Sequence, residues 1–209
     1  MKIALILAHP SSASYGAALA KRCAEVLETA GADVVVRDLY AMDFDPRLTA
    51  RELAGGGAQP EPDVVAERSL LRTVDGLLLV YPLWFNGPPA ILKGYIDRVL
   101  SAGFGYQPTA HGADPLLIGK TLMSVTTSGA PDAWIERTGA INTLARHFDL
   151  HLSHMTGLRV AGHVNIGGVG KDLSPEFAER GFGLARRALL SALLEGGDED
   201  ASTEPHPKT

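Results

Sequence analysis

The chain has 209 residues, 45% hydrophobic and 21% charged, the proportions of a globular domain of ordinary size with a substantial core. Its net charge of -5 speaks against a nucleic-acid binder, and most of that charge lies in residues 195–209, where Glu195, Asp198, Glu199, Asp200 and Glu204 face only Lys208. The single cysteine, Cys23, excludes an internal disulfide framework and a Cys-rich metal centre.

Residues 2–8 form a nearly continuous apolar run closed by His9-Pro10, which predicts a strand buried on both faces. Serines follow, then a good helix former over 17–27 that ends near Gly31. Residues 33–38, β-branched and short, predict a second strand. The stretch 39–62 reads as irregular, with Gly55, Gly56, Gly57, Pro60 and Pro62 marking a loop. Residues 64–74 read as a helix with Asp63 as its N-cap. An apolar strand over 76–81 runs into a loop bearing Trp84 and Phe85, and Pro88-Pro89 opens the next helix. A fourth strand spans 120–127, followed by a loop at 128–132 and a helix to about Phe148. Residues 152–165 are strand-like despite Gly157 and Gly162, and 174–194 form a last helix capped by Ser174 with Pro175 in first place.

Strand and helix thus alternate five times, which predicts an α/β domain over 1–194. Its architecture is a doubly wound five-stranded parallel sheet in a three-layer αβα sandwich, with right-handed crossovers. The acidic segment 195–209, rich in Gly and Pro and poor in large apolar residues, predicts a disordered tail. The start of the chain lacks the pattern of a signal peptide, and no apolar run reaches the ~18 residues of a membrane span. A cytoplasmic protein without membrane insertion is expected.

Ligands of such sheets bind beyond the carboxyl ends of the strands, so the loops after the first, third and fourth strands matter most. The first loop carries Ser11, Ser12 and Ser14 just before a helix, where free N–H groups and the dipole attract an anion. The alternative is one capping serine with solvated neighbours. Loops are normally polar, so Trp84 and Phe85 in the second make an apolar wall for a flat ligand, unless the rings fold back into the core. The third loop, Thr126-Thr127-Ser128-Gly129, exposes backbone N–H groups that can meet a ring edge, or is an ordinary turn. The chain contains no G-x-G-x-x-G, P-loop or G-x-S-x-G motif. Phosphate seat, aromatic wall and backbone edge are together what flavin mononucleotide needs.

On these and further motifs the chain resembles the flavodoxin-like NAD(P)H:quinone oxidoreductases, the DT-diaphorase family with its smaller bacterial relatives. The matching pieces are Ala8-His9-Pro10 with Ser14-Tyr15, the run from Leu39 to Pro46, the run from Pro82 to Val99, Gly103-Phe104-Gly105-Tyr106, and Thr126-Thr127-Ser128-Gly129. Gly87-Pro88-Pro89-Ala90-Ile91-Leu92-Lys93-Gly94 is the most specific of them. The resemblance implies a flavodoxin-like fold, bound flavin, NAD(P)H as co-substrate, a quinone or similar aromatic acceptor, and a homodimer. It implies that His9, Ser11, Ser14, Tyr15 and Gly16 hold the phosphate side. Pro82, Leu83, Trp84, Phe85 and Asn86, with Thr126, Thr127, Ser128 and Gly129, would frame the isoalloxazine. Tyr106 and Trp134 would meet the substrate.

Two departures qualify this expectation. The tyrosine and histidine that the family places after the third loop are here Trp134 and Ala140, so that pair is absent. The segment that helps long-chain members seat adenosine is shorter, and Gly16 stands where they have asparagine, which favours FMN over FAD. An electron carrier or a regulatory subunit acting on a protein partner is the alternative function. Carriers commonly show a strongly acidic face, whereas the body of this chain is nearly neutral. His147, His151 and His154 have the spacing of metal ligands on one helix, but a helix ending near Phe148 separates them, and no metal is expected. His111 and His163 stand alone.

Overall fold

The computed structural model describes residues 1–55 and 59–195, with side chains through residue 192. Five parallel strands, β1 (Lys2–Leu7), β2 (Asp33–Asp38), β3 (Gly76–Pro82), β6 (Thr121–Thr127) and β7 (Arg159–Ile166), form one sheet in the order β2-β1-β3-β6-β7. This is the doubly wound order, with its reversal between β1 and β3. The segment 196–209, most of the expected tail, lies outside the described residues. Among those described, no helix is long and apolar enough to cross a membrane.

The central strands lack alternation because both faces are covered. Ala4 and Ile6 of β1, with Leu77, Leu79 and Tyr81 of β3, pack under α3 (Pro62–Arg72) and α4 (Ala90–Val99). Ile3, Leu5 and Leu7, with Leu78 and Val80, pack under α1 (Tyr15–Thr29) and α8 (Pro175–Glu195). Cys23 belongs to this second layer, 1% exposed, and burial pushes its thiol up to about 12.

Several expectations are corrected. Residues 39–62 are not wholly irregular: Thr49 and Glu52 form a reciprocal capping box that starts α2 (Ala50–Ala54). This excursion is bolted to α4, since Arg98, 3% exposed, donates to Glu52 at 3.0 Å, to Asp63 at 2.7 Å and to the Asp45 carbonyl at 2.6 Å. Gly94 allows the contact, because a Cβ there would stand 2.1 Å from the Pro46 carbonyl. Asp63 is not the cap of α3, which follows Glu61; its carboxylate accepts from the Val64 N–H at 2.9 Å and from Arg98 at 2.7 Å. The fourth helix begins at Ala90, with Pro89 in the capping position.

A further correction concerns the helix expected to stop near Phe148. It continues from α6 (Ala140–Leu144) through a π-helical turn, Ala145–Leu150, into α7 (His151–Thr156), and ends at left-handed Gly157. Residues 152–156, read as strand, therefore belong to a helix. Finally, β4 (Tyr106–Thr109) and β5 (Gly112–Pro115) form a small antiparallel hairpin that the sequence reading missed.

Candidate functional site

The three loops lie side by side because their strands are neighbours. Ala8 N–H donates to the Val80 carbonyl at 3.0 Å, and Leu83 N–H donates to the Thr127 carbonyl at 2.7 Å. The ladder thus joins the His9, Pro82 and Ser128 loops at the carboxyl edge of the sheet.

In the first loop, Ser14 is the N-cap of α1, accepting from Ala17 N–H at 3.1 Å. Its own O–H stays available. The N–H groups of Tyr15 and Gly16 have no acceptor among the described residues, as the first turn of a helix dictates. His9 Nδ1 lies 3.0 Å from the Ser11 N–H nitrogen and 3.1 Å from the Ser11 carbonyl, accepting from the first in one ring tautomer and donating to the second in the other. Burial pushes the His9 pKa down, against the Ser11 hydrogen bond and the charge of Asp38, which push it up. In the tautomer that accepts at Nδ1 the proton sits on Nε2, a second donor beside the helix start; in the one that donates to the Ser11 carbonyl Nε2 is an acceptor. Gly16 fits tightly beneath it, since a Cβ there would be 3.3 Å from the ring. The Tyr15 side chain turns away: it stacks on Phe182 at 5.2 Å and its hydroxyl donates to the Ala178 carbonyl. Only the backbone of Tyr15 faces the loop.

The second loop is a two-residue turn. Trp84 and Gly87 exchange backbone hydrogen bonds of 3.0 and 3.1 Å, and both Phe85 (φ 51°) and Asn86 (φ 56°) are left-handed, the pattern of a type I′ turn. The rings do not fold back, for Phe85 is fully exposed and Trp84 is 46% exposed. Pro82 is buried and Leu83 packs against the α3–α4 layer below them. Asn86 ties the turn to the following layer by donating to the Ala140 carbonyl at 3.0 Å, while its Oδ1 is buried without a partner.

In the third loop Ser128 N–H closes on the Ile166 carbonyl at 3.0 Å, leaving the N–H groups of Gly129 and Ala130 without protein acceptors among the described residues. Gly129 is exposed, and a Cβ there would meet only the Val169 carbonyl, at 3.8 Å. Thr127 closes the strand beside it. Thr126 does not reach the loop surface; its hydroxyl is buried between His163 and Asn165.

Tyr106 lies apart, in a groove of about 580 Å³ between α4 and α7, with Asn86, Lys93, His147 and His151 among its lining. Trp134, 45% exposed on α5 (Asp132–Thr138), does not line that groove. His154 is also outside it, and among the described residues no group of three or more His, Cys, Asp or Glu side chains is placed to hold a metal.

Sequence reasoning missed a buried polar cluster directly behind the third loop, formed by Ser124, Thr126, Asp149, His163 and Asn165. A signal was present: Ser124, Thr126 and Ser128 alternate along a strand expected to be apolar on both faces.

Free N–H groups at the start of α1, a projecting aromatic turn and a second loop of free N–H groups thus lie together at the switch point of a doubly wound sheet, where ligands of such sheets bind. The chain belongs to the family described as flavodoxin-like fold, whose model matches residues 1–192. It is 43% identical over 129 residues to an uncharacterized NAD(P)H oxidoreductase of Haemophilus influenzae, a match covering 60% of this chain and 63% of that protein, under two thirds of its length. It is 32% identical over 174 residues to the human ribosyldihydronicotinamide dehydrogenase (quinone), covering 74% of each. Among solved structures, the NAD(P)H:quinone oxidoreductase from Methanothermobacter marburgensis is similar with a TM-score of 0.76 and 25% identity over 99% of both chains.

Proposed function

We propose that the protein is a flavin-dependent NAD(P)H oxidoreductase that passes a hydride from NAD(P)H through bound FMN to a quinone or similar aromatic acceptor. The observation that carries this reading is the meeting of three unlike surfaces at adjoining strand ends, which matches the three parts of a flavin nucleotide. The names of the Haemophilus, human and Methanothermobacter proteins support the nicotinamide donor, and the latter two the quinone.

The isoalloxazine, when bound, supplies the hydride chemistry. The chain binds and orients. The N–H groups of Tyr15 and Gly16, His9 Nε2–H and the hydroxyls of Ser11 and Ser14 take the phosphate, each hydrogen bond to a charged oxygen contributing roughly 1.5–3 kcal/mol. Gly129 and Ala130 offer N–H groups to the carbonyl edge of the ring, and Thr127 sits beside them. Trp84 and Phe85 cover one face and keep water from it. Hydride transfer between stacked rings depends chiefly on proximity and orientation, so loss of the family's tyrosine and histidine at Trp134 and Ala140 is compatible with turnover.

FMN is preferred to FAD because the segment 39–55 is committed to α4: Phe44 packs on Tyr95 with ring centroids 5.2 Å apart, and Pro46 lies on Gly94. It is not spare to seat an adenosine. The groove holding Tyr106 opens beside the fully exposed Phe85, an arrangement suited to a second copy of the chain, so the working unit is a homodimer in this reading.

Anaerobic addition of NADH or NADPH to purified protein tests the proposal. A yellow protein that bleaches and regains its colour on adding a quinone is expected. A yellow protein that no nicotinamide bleaches, or one that takes up no flavin, overturns it.

A further inference from the structure

The polar cluster behind the third loop stands where a doubly covered parallel sheet is ordinarily apolar, and two backbone irregularities create it. Along β6 the side chains of Leu122, Ser124 and Thr126 face the α6–α7 layer. The β6–β7 register slips between Leu122 and Met123, which pair with Val160 and Gly162, so one residue of β7 is extra. In unbroken register Ser124 would face Gly162 and Thr126 would face Val164. The bulge instead sets His163 beside Ser124 and Asn165 beside Thr126. From the opposite layer, the π-helical turn Ala145–Leu150 lowers Asp149 onto them.

Every polar atom of the cluster then finds a partner. Asp149, 1% exposed, accepts from Ser124 at 2.9 Å and lies 2.5 Å from His163 Nδ1. His163 Nε2 is 3.0 Å from the Thr126 hydroxyl, which is 3.0 Å from Asn165 Oδ1. Asn165 Nδ2 donates to Ser128 Oγ at 3.2 Å, and Ser128 Oγ donates to the Ala130 carbonyl at 3.1 Å. The chain runs from a buried carboxylate to the loop at the proposed flavin edge.

The Thr126 hydroxyl has one proton to share among His163 Nε2, Asn165 Oδ1 and, more distantly at 3.4 Å, the Val164 carbonyl, so the directions of these bonds are coupled. When Thr126 donates to Asn165, His163 must donate from Nε2 as well as to Asp149 from Nδ1. When Thr126 donates to His163, the Asn165 amide turns over, Ser128 must donate to it, and the Ala130 carbonyl loses that bond. Beside Asp149, the other titratable group facing the pair is Tyr81 of β3, whose hydroxyl is buried without a partner and is pushed up by burial and by the charge of Asp149.

We propose that Asp149 and His163 are a positioning pair for the loop at 127–130, fixing through Thr126, Asn165 and Ser128 the direction in which its hydrogen bonds point toward the flavin. The assignment rests on the flavin reading above. The direction of the His163–Thr126 hydrogen bond thereby becomes part of the field at the ring edge, a task open in this chain because Trp134 and Ala140 carry no such group.

The test compares wild type with Asp149→Asn, which keeps shape but removes the charge, and Thr126→Val, which cuts the relay and leaves the pair intact. FMN content, thermal midpoint, bound-flavin absorption spectrum and two-electron reduction midpoint are measured for each. Both variants are expected to retain FMN and to change the ratio of affinities for oxidised and reduced flavin at least tenfold, a displacement of about 30 mV or more. His163→Gln, which reaches Thr126 but not Asp149, is expected to resemble Asp149→Asn. Flavin-loaded variants with wild-type spectra and midpoints, whatever their thermal stability, overturn the inference. If Asp149→Asn fails to fold, the midpoint of Thr126→Val decides. Wild-type protein that takes up no FMN overturns the parent reading instead.

Discussion

Phe85 and Asn86 both adopt left-handed backbone, and the two differ in what that costs. Asparagine tolerates this region, whereas a bulky residue at the first turn position is strained by roughly 1–2 kcal/mol. The strain buys no packing, because the ring is fully exposed. Retaining it is consistent with an aromatic presented to a ligand or to a second subunit. Phe85→Gly is expected to stabilise the isolated fold by about 0.5 kcal/mol, the relief being partly offset by glycine's entropy. The same variant is expected to lose several-fold in kcat/KM for aromatic acceptors. Denaturant midpoints and steady-state kinetics read the two effects separately, and a variant both less stable and fully active would contradict the argument.

At the scale of elements, α4 is the post to which the 39–62 excursion is fastened. Arg98 is surrounded by Glu52, Asp63 and the Asp45 carbonyl, with its guanidinium 5.1 Å over Phe44. Replacing it leaves Glu52 buried without its partner, and Arg98→Met is expected to cost about 3–5 kcal/mol, measured by chemical denaturation. The strands were legible in the sequence because long apolar runs such as residues 3–7 and 76–81 admit few other readings, and the serines before α1 announced a helix start. The π-helical turn and the β7 bulge were not legible. Each inserts one residue into a regular repeat and so brings together side chains distant in sequence, which is why His163 reads as a lone residue. Asp63 misled because it stands inside the first turn of α3, where its carboxylate is shared between the Val64 N–H and Arg98. The loops of the site were readable by residue type, but the inward turn of Tyr15 toward Phe182 depends on where α8 packs.

For the whole molecule, the buried ion pairs set the response to acid. Burial pushes the Glu52 pKa up, but the hydrogen bonds from Arg98 and the Thr49 backbone outweigh it and hold the carboxyl below its ordinary value. A carboxyl depressed in the folded state stabilises above its unfolded pKa of about 4.3, and that stability disappears as pH falls through the folded value. The denaturant midpoint is therefore expected to fall as pH drops below about 4.5. Glu52→Gln is expected to be less stable at neutral pH and to show a shallower acid slope; an unchanged slope would assign the acid response to other carboxylates.

The chain's single thiol bears on the chemistry proposed for it. Quinones are electrophiles that alkylate thiolates, and a protein that meets them at every turnover exposes its own cysteines to damage. Cys23 is 1% exposed in the α1–α8 layer, on the face of the sheet opposite α4, and its thiol is pushed up to about 12. Burial thus disfavours the reactive thiolate at neutral pH and leaves the sulfur little contact with solvent. Intact-mass spectrometry after prolonged incubation with benzoquinone is expected to find the native protein free of cysteine adducts and the unfolded chain modified once at Cys23.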